Sequence, residues 1–191
     1  MLLCLAGMGY GQSELREIST GDLQVFRIDT GKLATHPFSI RYPKSFRMER
    51  GHGRVPMVGF HRYTSPLYIA VWVWDLQRPE DSIAAYSDTS TLRHYHTSWM
   101  NAPHLLADSV DTINGRAWQY HEYTVETEAR KDLTWYYKHG AYSWREGTCR
   151  IDVVFSISLY TNAIQTASIF EKYKSVFRKE METFEFTTGK K

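Results

Sequence analysis

Two stretches, Leu105 to Ile113 and Arg116 to Glu126, flank Asn114-Gly115. Asn-Gly supplies both positive-φ residues of a two-residue hairpin turn, whose twist matches that of the strands it joins. The dipeptide therefore commits the middle of the chain to antiparallel pairing. Other segments also read as strands. Phe38 to Tyr42 alternates apolar and polar and stops at Pro43, as a strand does. Phe46 to Glu49 is a further short strand, and Gly21 to Lys32 holds a strand and a turn. Met57 to Tyr63 and Leu67 to Trp74 form a second predicted hairpin around Ser65-Pro66. Both faces of Tyr68 to Trp74 are apolar, which fits a central strand covered on two sides. Asp132 to Arg145 and Cys149 to Tyr160 form a third pair around Glu146-Gly147, with His139-Gly140 as a rival turn. In the last of these strands Ile151, Val153, Phe155, Ile157 and Leu159 make one wholly apolar face.

Two helices are predicted. Pro79, Glu80 and Asp81 suit a helix start. Ile83 and Tyr86, however, lie nearly opposite Leu92, Tyr95 and Trp99, so a break is expected in Ser87 to Thr91. The second helix starts after Asn162, which can cap it with Gln165 three residues on. Ala167, Phe170, Tyr173, Phe177, Met181 and Phe184 then share one stripe, and Lys172, Arg178 and Lys179 lie off it. Strands and helices in this order define an α+β domain on one antiparallel sheet of about six to seven strands. The 191 residues suit one domain. A chain of that length buries roughly 70% of its extended surface and needs no metal or disulfide to fold.

Residues 1–12 carry no charge. Leu2, Leu3, Leu5 and Ala6 resemble the apolar region of a signal peptide, and Gly9-x-Gly11 its cleavage pattern, although a basic start is missing. The leader is either short or continues upstream; the competing reading is a frayed terminus of a cytoplasmic protein. Export is the expectation, with residues 13–191 as the mature domain. Leu3 argues against a lipid anchor at Cys4. Nothing after residue 12 is long and apolar enough to span a bilayer. Cys149 would then be the lone cysteine, a buried and idle one. The net charge of +2, without clustered Lys or Arg, argues against a nucleic-acid partner.

Several residues resemble the PsbP-like family, which includes the photosystem II extrinsic subunit and the Ran-binding Mog proteins. Phe38-x-Ile40-x-Tyr42-Pro43-x-x-Phe46 resembles its opening strand. Ile113-Asn114-Gly115-Arg116-x-Trp118 and Glu122-Tyr123-Thr124 resemble its central hairpin. Gly147 with the apolar strand after it, and Thr183-Phe184-Glu185-Phe186, resemble its last third. The resemblance spans residues 36 to 186. It implies helices on both faces of the sheet, an α/β/α sandwich, and a binding or assembly role without enzymatic activity.

Catalytic signatures are missing from the chain. There is no nucleophile elbow, glycine-rich phosphate loop, Cys-x-x-Cys or His-Glu-x-x-His, and no cofactor is expected. Eight histidines invite a metal, but His94-x-His96 would point about 200° apart on a helix and could share an ion only on a strand. Scattered, solvated histidines are expected instead. The remaining candidate site is aromatic: Trp72, Trp74, Trp118, Tyr120 and Trp135 either form core under a helix or line a groove for a peptide or apolar ligand. The expected function is an exported, non-enzymatic binding or assembly module with a protein partner. A carrier of a small apolar ligand is the alternative, and a hydrolase of unrecognised type stands third.

Overall fold

The computed structural model describes residues 23–28, 37–50, 57–61, 66–75, 104–130, 133–160 and 162–187. In chain order they form β1 (Leu23–Ile28), β2 (Phe38–Pro43), β3 (Arg47–Arg50), β4 (Met57–His61), β5 (Leu67–Asp75), β6 (His104–Ile113), β7 (Arg116–Arg130), β8 (Leu133–Glu146), β9 (Cys149–Tyr160), α1 (Ala163–Met181) and β10 (Glu185–Phe186). A seven-stranded sheet runs in the order β3-β4-β5-β9-β8-β7-β6, and a three-stranded sheet in the order β1-β2-β10. Neighbouring strands are antiparallel throughout.

The turn chemistry acts as expected. Asn114 and Gly115 have φ of 51° and 74°, and Ile113 pairs with Arg116 across them. Between β8 and β9 the turn falls at Gly147, where Glu146 faces Cys149. The rival site lies within β8, with Gly140 opposite Phe155. A glycine there serves packing: a Cβ would come 2.9 Å from Tyr120 Oη and 3.0 Å from Phe170 Cζ. Its bare backbone lets a helix ring settle on the strand.

The core lies over one face of the large sheet. Ile151, Val153, Phe155, Ile157 and Leu159 of β9 meet Phe170, Tyr173, Phe177 and Met181 of α1, all buried. Phe155 and Phe177 stack at 4.8 Å. The small sheet extends the same layer, with Phe26 5.4 Å and Tyr42 4.2 Å from Phe60, and Phe38 5.0 Å from Phe184. Asn162 Oδ1 accepts from Gln165 N at 2.8 Å, a cap worth about 1 kcal/mol.

Two expectations change here. Strands β1, β2 and β10 pair with each other in a second sheet instead of extending the first. The described residues also supply a helix on one face only, where helices on both were expected. The helix expected near residues 80–99, His94 and His96, and the leader at 1–12 lie outside the described residues. The buried arc of α1 is rotated from the expected stripe toward Thr166, Ile169 and Glu180, leaving Ala167 half-buried.

Candidate functional site

Alternation on four central strands builds the face opposite α1. Register aligns Tyr68, Ser156, His139 and Tyr123 in one row across β5, β9, β8 and β7. Ala70, Val154, Ala141 and His121 form the adjacent row, and Trp72, Asp152, Ser143 and Gln119 the next. The first two rows contain buried polar groups. His139 Nδ1 and Ser156 Oγ are 2.5 Å apart, and Tyr123 stacks on the His139 ring at 4.7 Å. Burial, with the nearby Asp152 charge, holds the Tyr123 phenol far above its ordinary pKa. Asp152 is fully buried, accepting from Trp74 Nε1 at 2.6 Å and Arg150 Nε at 2.9 Å. Among the described residues, no group of three His, Cys, Asp or Glu could hold a metal. The expectation of solvated histidines fails at His121 and His139, which are 2% and 4% exposed. Both sit on the face opposite α1, on β7 and β8.

An aromatic ladder leads out of this buried region. From Tyr123 it passes through His139 to Tyr137 at 5.8 Å, then to Trp135 at 6.0 Å, and ends on Tyr160. Tyr137 and Trp135 are half-buried, and Tyr160 is 50% exposed. Four residues beyond it, Ile164 is 84% exposed.

The five predicted aromatics do not share a face. Trp72 and Trp74 stack 5.9 Å apart on β5, and Trp135 stands farther out on the same side of the sheet. Trp118 and Tyr120 point the other way, into the core beneath α1. Trp118 meets Phe184 at 5.2 Å, and Tyr120 meets Tyr142 at 4.8 Å. The relative parity of β7 and β5 depends on the intervening registers of β8 and β9, which no local pattern carries.

Two polar features escaped the sequence reading. Beneath α1, Glu122 bridges Lys138 at 2.8 Å and Lys174 at 2.6 Å, while Lys138 also reaches Glu171 at 2.6 Å. Burial would raise the Glu122 pKa, but the two ammonium groups outweigh it and hold the carboxyl below its usual range. Lys138 is likewise raised, the two carboxylates overcoming burial. This network spans β7, β8 and α1 and ties helix to sheet. The second feature is a cavity of about 290 Å³ on the outer side of the small sheet, with Arg27, Arg41, Glu182 and Glu185 among its lining residues. Its two cations and two anions leave it without a net charge to select an ion.

These two layers have the PsbP-like fold, an antiparallel α+β sandwich. The solution structure of the cyanobacterial PsbP protein CyanoP from Synechocystis sp. PCC 6803 is similar with a TM-score of 0.56 and 13% identity, covering 90% of this chain and 96% of that one. The crystal structure of the Saccharomyces cerevisiae Ran-binding protein Mog1p is similar with a TM-score of 0.52 and 11% identity, covering 86% and 96%. No family model and no curated protein matches the chain. Among the described residues, no helix is long and apolar enough to cross a membrane.

Proposed function

We propose that this chain is an exported, non-enzymatic binding or assembly module that takes a protein partner on the outer end of its aromatic ladder. The observation that carries the reading is the ladder itself. Half-buried Trp135 and Tyr137 are held by stacking, and Tyr160 continues them to the surface. Tryptophan and tyrosine of this kind, rigid before binding and open on one side, are the side chains that dominate protein interfaces. A fold neighbour that is a Ran-binding protein is in keeping with this role.

A small-ligand carrier is the second reading, favoured by a row of small residues flanked by two rows that carry aromatic rings. Gly59, Ala70, Val154 and Ala141 lie side by side across β4, β5, β9 and β8, between the Trp72 row and the Tyr68 row. Native mass spectrometry of the protein from its own host separates the two. A co-purifying chain, lost in Trp135→Ala, supports the module; a bound small molecule supports the carrier. Neither mass would sink both. The export part of the proposal is tested by N-terminal sequencing, with the mature chain expected to start near Gln12 or Ser13. An intact Met1 in the cytoplasmic fraction would overturn it.

A further inference from the structure

Strand β6 ends the large sheet, bonded to β7 on one side and to no described strand on the other. An open edge of this kind is a template for another chain unless something blunts it. The opposite edge, β3, is four residues long and carries exposed Arg47 and Glu49. By contrast, β6 is ten residues long, has neither lysine nor proline, and exposes Leu105 by 41%, Leu106 by 47% and Val110 by 64%. Its two carboxylates are engaged within the chain. Asp111 is bridged to Arg178, while Asp108 accepts from Gln119 and lies 3.7 Å from His121 Nδ1.

A bulge usually protects an edge, and β6 has one: Leu105 faces Tyr123 and Ala107 faces Glu122, leaving Leu106 as the extra residue. Here its effect on phase is what matters. Five residues apart on a regular strand, Leu105 and Val110 would point to opposite faces. The bulge places both on the face of Tyr123 and Gln119, and likewise puts His104 and Asp111 together on the helix face.

We infer that β6 pairs with β6 of a second copy of this chain, antiparallel about a twofold axis, joining two seven-stranded sheets into one. In the register that keeps faces matched, Leu105 opposes Val110 of the second copy and His104 opposes its Asp111. Each contact occurs twice because the interface is isologous. Asp108 lies on the axis and faces its own copy, each carboxylate accepting from Gln119 of its own chain, so this one like-charge contact opposes the pairing. The apolar match of Leu105 with Val110, made twice and on one face because of the bulge, is what assigns a second copy, in preference to an unrelated strand, as the occupant.

Sedimentation velocity of the full chain over a range of concentrations should show a dimer. Val110→Lys, which puts an ammonium against Leu105, should raise its dissociation constant at least about tenfold. Ile164→Lys, at a still more exposed apolar residue elsewhere, should leave it unchanged. With Cys4 replaced by serine, the L105C/V110C variant should oxidise to a covalent dimer, and L105C alone should not; Cys149 is buried and does not compete. A monomer at every concentration, or a dimer indifferent to Val110→Lys, would overturn the inference, as would a foreign chain found on this edge. Should Val110→Lys fail to fold, cross-linking decides. Trp135→Ala touches none of these contacts, so this result and the partner proposal can fail separately.

Discussion

Glu180 is fully buried on the core side of α1, and neither carboxylate oxygen has a hydrogen-bond partner among the described residues. Removing a carboxylate from water disfavours its charged form, and burial pushes this group from 4.5 up to about 8. The folded state therefore keeps a proton that the unfolded chain gives up. Stability should be greatest below the unfolded value and should fall as pH rises through the window from 4.5 to about 8. The slope is at most about 1.4 kcal/mol per pH unit, levelling above the folded value. Denaturant melts at three pH values across that window should show this loss, and Glu180→Gln should largely abolish it. An unchanged slope in the variant would mean that another group is responsible. Sequence reasoning missed this residue for a physical reason. Glu180 lies beside the expected stripe, and helical periodicity alone assigns a charged residue at a stripe's margin to solvent.

At the scale of elements, α1 is held by its apolar face. Phe177 is 3% exposed and stacked on Phe155 at 4.8 Å, while Lys179, two residues on, faces solvent. Phe177→Ala should cost roughly 3–5 kcal/mol through the cavity it leaves. Lys179→Ala should change stability by no more than about 0.5 kcal/mol. Equal losses in chemical denaturation would contradict the observed helical phase. What was legible at this scale was local. Alternation marked β2 and β9, an apolar run marked β5, Asn-Gly marked a hairpin, and Asn162 marked the helix start, because each signal is contained within a few residues. Pairings carried by no such signal were hidden. Strand β10 is two residues long and meets β2 at Ser39 and Phe38, far away in sequence. The placement of the five aromatics was only half legible for the same reason. The side chains could be named, but separating Trp118 and Tyr120 from Trp72, Trp74 and Trp135 requires the registers of four strands.

The whole molecule depends on joints between its layers, and one of them is also the hairpin turn. Asn114 Nδ2 donates to the carbonyls of Glu182 and Phe184, both at 2.9 Å. It thereby fastens the β6–β7 tip to the segment leaving α1. That segment is tied in turn to the small sheet, where Arg41 N donates to Thr183 Oγ1 at 2.9 Å and Phe186 pairs with Phe38. The asparagine thus has two separable roles, a left-handed backbone at φ 51° and a side-chain donor. Glycine keeps the first and loses the second. Aspartate tolerates the same backbone, but would turn a carboxylate toward two carbonyl oxygens with nothing to donate. Asn114→Gly should therefore cost roughly 1–3 kcal/mol for two hydrogen bonds, and Asn114→Asp should cost more. Native-state hydrogen exchange should also show faster opening of the Phe184 to Thr187 amides in both variants, with the β8–β9 ladder unchanged. If aspartate proved as stable as asparagine, the turn would be acting through its backbone alone, and the link from hairpin to small sheet would have to be carried by Trp118 packing on Phe184 and Phe186.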